Sequence, residues 1–252
     1  MIPSNYHTHT SFCDGKNTPE EMVLEAIRLG CPELGFSGHS YMEADTASMS
    51  LENTQAYIAE IRALQKKYAG QIKILLGIEQ DYYSPQSTEG YEYVLGSVHF
   101  VKKDGVYLSV DHGKEIQMNN VEKFYGGDYY AFIEDYFQLV GDVYRKTKCQ
   151  IIGHFDLVTK FNQNGDLFDI NHPRYQAAAQ RALDALLDAP AVLEVNTGAI
   201  SRGYRDTPYP QKAFLDRWLE AGKEIIFSSD CHRKEHLLFG YDIYQRHIQK
   251  NT

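Results

Sequence analysis

The chain has 252 residues, 43% hydrophobic and 13% aromatic, with 34 acidic against 25 basic residues and a formal charge of −9. At roughly 100–200 residues per domain the length fits one large or two small domains, and the apolar and aromatic content excludes a chain disordered throughout. The acidic balance argues against a sequence-independent nucleic-acid binder, which needs a basic footprint on phosphates, and no stretch approaches the ~20 apolar residues of a membrane helix.

The opening Met-Ile-Pro-Ser-Asn-Tyr-His has neither a basic nor an apolar segment of signal-peptide length, so a soluble, cytoplasmic protein is expected. Cys13, Cys31, Cys149 and Cys231 are far apart with no C-x-x-C pair, which predicts reduced thiols and no thiolate zinc site. No linker, low-complexity tract or internal repeat divides the sequence, so a single domain over 1–252 is the simplest organisation.

An apolar run at Asn5–Thr8 comes first, then a helix opening at Thr18-Pro19-Glu20-Glu21, whose cap, first-turn Pro and acidic turn are start signals, and closing near Gly30. A run at Leu34–Ser37, a helix over about Leu51–Tyr68 and the runs Ile72–Ile78 and Tyr93–Val98 follow. A hairpin is predicted at Lys103-Asp104-Gly105, and an aromatic helix over about Tyr129–Tyr144. The later strands are Ile151–Gly153, Ala191–Val195 and Glu224–Ser228, separated by helices at about Arg174–Leu187 and Gln211–Ala221. About seven β units, most followed by a helix, imply parallel pairing through right-handed crossovers. A closed (β/α) barrel and an open doubly wound sheet both satisfy this pattern, and the absence of a nucleotide-binding glycine motif disfavours many open sheets.

Metal-type side chains recur at the C-terminal ends of these strands: His7 and His9, His39, Glu79, His99, His154, Glu194 with Asn196, and Asp230 with His232. In a parallel barrel those ends share one face, where the loops build a site. His7 and His9 stand at i and i+2, on one side of a strand. Any one of these histidines alone would pass as a hydrogen-bonded or surface residue; their joint placement predicts a metal site. Imidazole with carboxylate suits Zn, Mn or Fe better than Ca or Mg. The candidates are too many for one ion of ordinary coordination, so a cluster of two or three is expected.

His7-Thr8-His9-Thr10, Gly38-His39, Ser97-Val98-His99 with Gly153-His154, and Ser229-Asp230-Cys231-His232 resemble, in order, the four motifs of the polymerase and histidinol phosphatase (PHP) superfamily. The resemblance spans about residues 5–235. Within it, Phe12-Cys13-Asp14-Gly15, Gly77-Ile78-Glu79, the run 93–99 and Val110-Asp111-His112 look most like the histidinol-phosphate phosphatases. The resemblance implies a distorted (β/α)7 TIM-like barrel with three divalent ions at its mouth. By position, His7, His9, Glu79 and Asp230 would hold one ion, Glu79 would bridge to a second held by His99 and His154, and Asp14, His39 and His232 would hold a third. Asp14 also suits a plain turn in Cys13-Asp14-Gly15-Lys16.

The implied reaction is hydrolysis of L-histidinol phosphate, a step of histidine biosynthesis, by a hydroxide shared between two metals that also neutralise phosphoryl charge. No protein nucleophile is required, and neither Cys13 nor Cys231 lies in a C-x5-R loop. Arg202 and Lys160 are the candidate phosphate ligands, one a planar fork and the other a point charge; Arg205 is a third. Asp156 is a candidate near the leaving oxygen or behind a ligand, and Glu194 a candidate orienting partner. The amine and imidazole of the substrate call for an acceptor and an aromatic wall, for which Asp111, Glu115, Tyr41 and Phe100 are available. The Tyr-rich segment 124–130 reads either as a lid or as helix packing. His112, His172, His236 and His247 show no matching ligand position and are expected to be surface or structural. Two other activities stay open: a phosphoesterase for another small ester or a nucleotide, and a C–N hydrolase of the related barrels that also begin with H-x-H. A non-catalytic metal-stabilised module fits worse, since a structural site closes with four ligands. Three bound dications would bring the formal −9 to about −3 and make the mouth locally cationic, so an acidic protein can still take an anionic substrate.

Overall fold

Short apolar segments of period two build the framework, and their parity decides what faces the site. In the computed structural model, which describes residues 3–248, β1 (Glu33–Phe36), β2 (Lys73–Asp81), β3 (Tyr93–Ser97), β6 (Ile151–Ile152), β7 (Val192–Asn196) and β8 (Ile225–Ser228) form one parallel sheet in the order β1-β2-β3-β6-β7-β8. On β2, Ile74, Leu76 and Ile78 point outward into the main core under the helices. The alternate positions Leu75, Gly77 and Glu79 therefore face inward. Leu75 packs there with Tyr93, Leu95, Ile151, Val192 and Ile226 in an inner cluster.

The sheet curls, and the segment around residues 5–9 spans the gap between its edges. Gly35 N donates to Asn5 O at 2.8 Å on one side, and His9 N donates to Cys231 O at 3.0 Å on the other. The run Asn5–Thr8 is thus the seventh stave expected from the sequence, but it makes single parallel bridges to Leu34 and Cys231 instead of a ladder. Inside the curl, the Tyr93 hydroxyl donates to Tyr6 O at 2.6 Å and lies 2.9 Å from Phe36 O. Only glycine fits beside that ring at position 77, where a Cβ would lie 2.2 Å from Tyr93 Cζ.

Helices cover the outside. α1 (Pro19–Leu29) starts with the anticipated box, Glu21 N donating to Thr18 Oγ1 and Thr18 N to Glu21 Oε2, and stops at Gly30 with φ 75°. α2 (Leu51–Lys67), α4 (Tyr129–Thr147), α5 (Pro173–Leu186) and α7 (Lys212–Glu220) match the predicted helices within a few residues. β4 (Phe100–Lys103) and β5 (Val106–Ser109) form the predicted hairpin, with Asp104 and Gly105 both at positive φ, as a tight two-residue turn requires. α3 (Lys114–Tyr125), the one-turn α6 (Gly198–Ser201) and α8 (Tyr241–Ile248) were not anticipated. α3 buries only Gln117 and Val121, too little to show as an apolar stripe. The Tyr-rich segment 124–130 packs rather than forming a lid: Tyr125 meets Phe132, Tyr129 meets Phe168 and Tyr130 stacks on His172. Among the described residues no helix is long and apolar enough to cross a membrane.

Candidate metal centre

The inward parity of β2 and the loops leaving the strand ends bring all nine predicted ligands to one place. Glu79, fully buried near the end of β2, is the hub. Its Oε2 lies 3.2 Å from His7 Nε2, 3.5 Å from His9 Nε2 and 3.0 Å from His39 Nδ1. Its Oε1 lies 3.0 Å from His154 Nε2 and 3.4 Å from His99 Nε2, and accepts from Ser97 Oγ at 2.7 Å. Asp230 Oδ1 stands 3.3 Å from His9 Nε2 and 3.7 Å from His7 Nε2. Asp14 closes the other side, 3.0 Å from His232 Nε2 and 3.7 Å from both His9 Nδ1 and His39 Nε2.

These atoms fall into overlapping groups able to hold an ion: His9, Asp14, His39 and His232; His7, His9 and Asp230; His7, Glu79 and His154; and His39, Glu79 and His99. They contain the expected set Asp14, His39 and His232, but they are four groups and not three: His9 joins that set, Glu79 is outside the His7, His9 and Asp230 group, and His99 and His154 meet Glu79 in separate groups. The donor set fits divalent ions on a second ground. His7 Nε2, His9 Nε2, Asp14 Oδ1 and Glu79 Oε2 are buried with no hydrogen-bond partner among the described residues, an expensive arrangement unless another group satisfies them.

Electrostatics agrees. Burial would raise Glu79, but His7, His39 and His99 hold it well below the usual carboxylate range. Burial likewise opposes ionisation of Asp230, and Arg202 and His7 overcome it. Burial lowers His39, yet Glu79 and Asp14 bring it to about 9, whereas burial together with His232 and His39 pushes His9 down to about 3. The carboxylates draw positive charge into the centre, as protons on some imidazoles or as metal ions in their place.

The backbone is shaped to the task. Asp230 sits at φ 46°, a left-handed conformation uncommon outside glycine. A Cβ at residue 198 would come within 2.7 Å of its Oδ2, so Gly198 leaves the room this carboxylate occupies. Partners behind the ligands fix the rings. His7 Nδ1 donates to Glu194 Oε1, Glu194 Oε2 accepts from His154 N at 2.7 Å, and Asp81 Oδ2 accepts from His99 N at 2.9 Å. Glu194 was anticipated in this role. Asp81 was missed, although its place two residues beyond Glu79 on the same strand face was a usable signal.

A cavity of about 220 Å3 opens over this cluster, lined also by Arg202, Lys160, Asp111, Asp45, His112 and Tyr204. Arg202 donates to Asp230 Oδ2 at 3.0 Å, and its Nε has no partner among the described residues. A larger groove between α4 and α5 lies on the outer helix layer and contains none of the predicted site residues.

Several expectations need correcting. Asp156 does not line the cavity: it is fully buried, its Oδ2 accepts from Gln211 N at 3.0 Å, and burial raises its pKa. Two residues past His154 the chain has turned into a 3-10 segment (Leu157–Thr159), which directs the carboxylate behind the wall. Arg205 is likewise buried, held by Thr159 and Thr207 with Tyr209 against its guanidinium. His112, expected to be unconnected with the site, lies on the rim with Nε2 3.2 Å from Asp45 Oδ1. Tyr41, Phe100 and Glu115 are not among the lining residues. His172 caps α5, its Nδ1 accepting from Arg174 N. Cys13 touches His9 Nδ1 at 3.6 Å, but burial raises its thiol to about 12, and Cys231 to about 11, so neither offers a thiolate.

The chain is 30% identical over 90% of its length to "Probable histidinol-phosphatase" of Deinococcus radiodurans, covering 85% of that protein, and 25% identical over 94% to "Histidinol-phosphatase" of Bacillus subtilis, covering 96% of it. The crystal structure of histidinol phosphate phosphatase from Lactococcus lactis, complexed with zinc, L-histidinol and phosphate, superposes with a TM-score of 0.71 over 98% of this chain and 94% of that one, at 20% identity. The family model named PHP domain matches residues 5–198. Asp230 and His232 lie beyond the matched segment and still complete the cluster. On this match the chain belongs to the PHP domain family.

Proposed function

We propose that the chain is a metal-dependent phosphomonoesterase that hydrolyses L-histidinol phosphate to L-histidinol and phosphate, holding three divalent ions of the Zn, Mn or Fe class. The observation that carries this is the convergence of nine metal-type ligands on Glu79 in a cavity whose rim also carries Arg202, Lys160 and Asp111. The two relatives bearing the phosphatase name align over nearly their whole length, and the Lactococcus protein holds zinc, L-histidinol and phosphate.

His7, His9, Glu79 and Asp230 would hold one ion, Glu79, His99 and His154 a second, and Asp14, His39 and His232 a third. Bound there, such ions supply Lewis acidity to a phosphoryl group and lower the pKa of water. The protein's own groups do the rest. Glu194 and Asp81 fix the His7 ring and the His99 backbone by hydrogen bonds, and Gly198 makes room for Asp230. Arg202 and Lys160 bind and orient the phosphoryl oxygens from the rim. Asp111 accepts the substrate ammonium. A cavity of about 220 Å3 suits a small ester and not a nucleic-acid strand. Four free thiols are consistent with a reducing, cytoplasmic setting.

The test is elemental analysis of purified protein alongside turnover of a panel of phosphate esters with Mn or Zn. Two or three ions per chain are expected, with histidinol phosphate preferred by at least about tenfold in kcat/KM. Equal or better turnover of another ester would reject the substrate, and fewer than two ions per active chain would reject the cluster. Arg202→Ala should lower kcat/KM by roughly a hundredfold, and full activity in that variant would remove the phosphate role.

A further inference from the structure

We propose that Asp111 and Lys160 form a latch that a zwitterionic phosphate ester opens and free phosphate does not. The inference rests on the reading above, that the cavity binds an amino-alkyl phosphate ester, and adds how the site tells that ester from its own product.

The two groups assigned to opposite ends of the substrate are bound to each other. Lys160 Nζ donates to Asp111 O at 2.9 Å and to Asp111 Oδ2 at 3.0 Å. Their side chains are only 10% and 17% exposed, and both line the cavity, so the attraction is less screened than in a surface pair. The rings of Phe161 and Tyr204 lie 5.6 and 5.2 Å from the same ammonium. Two of the three Lys160 N–H groups are therefore engaged by Asp111 before any ligand arrives.

An incoming phosphate that takes Lys160 as its cation competes with Asp111 for it. That leaves a partly desolvated carboxylate stripped of its hydrogen-bonded cation and a new anion beside it, an unfavourable outcome on both counts. An ester carrying an ammonium on the carbon next to the ester-bearing carbon changes the balance. Its phosphoryl oxygens take Lys160, its ammonium takes Asp111, and every charge leaves with a partner. Arg202 stands outside this exchange, because its own partner is Asp230. After hydrolysis the alcohol carries the ammonium away, Asp111 closes again on Lys160, and phosphate loses one of its two side-chain cations. Selectivity for the zwitterion and release of phosphate are the same event.

The test uses manganese-loaded protein and inorganic phosphate binding by calorimetry, with KM for histidinol phosphate and for imidazolylpropyl phosphate, which lacks the amine. In Asp111→Asn, phosphate binding should tighten by about tenfold and KM for histidinol phosphate rise by about tenfold, while KM for the amine-free ester stays level or falls. Asp111→Ser should move all three in the same directions, and Asp111→Glu should return them toward wild type. Phosphate affinity unchanged or weakened in both neutral variants, or equal KM increases for the two esters, would overturn the latch. The calorimetric arm needs no turnover, so it reads the latch even if histidinol phosphate proves not to be the substrate.

Discussion

His7 Nδ1 lies 2.6 Å from Glu194 Oε1, and both side chains are fully buried. Glu194 is held ionised against burial, chiefly by His7, so its carboxylate accepts from Nδ1–H and leaves Nε2 as the nitrogen that an ion between Glu79 and Asp230 would meet. Glu194→Gln keeps the shape but removes the charge and one of the two oxygens that serve His7 Nδ1 and the His154 backbone N–H. We expect metal affinity to fall by about 10–100-fold, read by competition with a chelator. Unchanged affinity would mean the ring is oriented by packing alone.

Asp14 is the most exposed of the nine ligands, with a side chain 34% accessible, and it belongs to one ion-holding group only. Asp14→Asn is therefore expected to cost one ion per chain and leave the others in place, measured by elemental analysis after dialysis. Loss of all the ions would show that the three groups fill as one unit.

The Asp45–His112 contact on the rim makes stability depend on pH in a defined direction. The hydrogen bond to Asp45 raises His112 above 6.5 in spite of partial burial. A group raised on folding contributes fully below its unfolded pKa and loses the contribution as pH rises through the folded value. The gap in thermal midpoint between wild type and His112→Asn should be widest near about pH 6 and close by about pH 9. With the imidazole 31% exposed, the contribution is at most about 1 kcal/mol. A gap that widened with pH would reverse the assignment.

Two residues before Glu79 on β2, Gly77→Ala should destabilise by roughly 3 kcal/mol, because the added carbon meets the Tyr93 ring, which is itself tied to the Tyr6 and Phe36 carbonyls. Denaturant unfolding would measure it. A neutral outcome would show that this ring can move.

The residues legible in sequence were those whose place follows from local rules. Strand parity and recurrence at strand ends located Glu79, His99, His154 and Asp230, and cap chemistry located α1. What escaped depends on pairings across distant loops. Lys160 meets Asp111 across 49 residues, and His112 meets Asp45 across 67; no period links them. Asp156 was misplaced because nearness in sequence to His154 says nothing about the direction of a side chain once the strand has ended. α3 stayed hidden because its attachment is mostly polar: Gln117 Nε2 donates to Val110 O and Val158 O, where an apolar contact would ordinarily be expected.

The stave that closes the sheet also carries His7 and His9, and its neighbours on one side come from the far end of the chain, with Asn5 and Ser229 bonded across 224 residues. During synthesis the segment at Asn5 has no partner at Ser229 until the 224 residues that separate them in sequence have been added. Folding from the N-terminus as the ribosome proceeds can build the β1–β7 face, but the His7, His9 and Asp230 group cannot exist on a nascent chain. Capture of an ion by that group is thereby deferred until Asp230 has been made, whereas the residues of the His39, Glu79 and His99 group are all in the chain by residue 99.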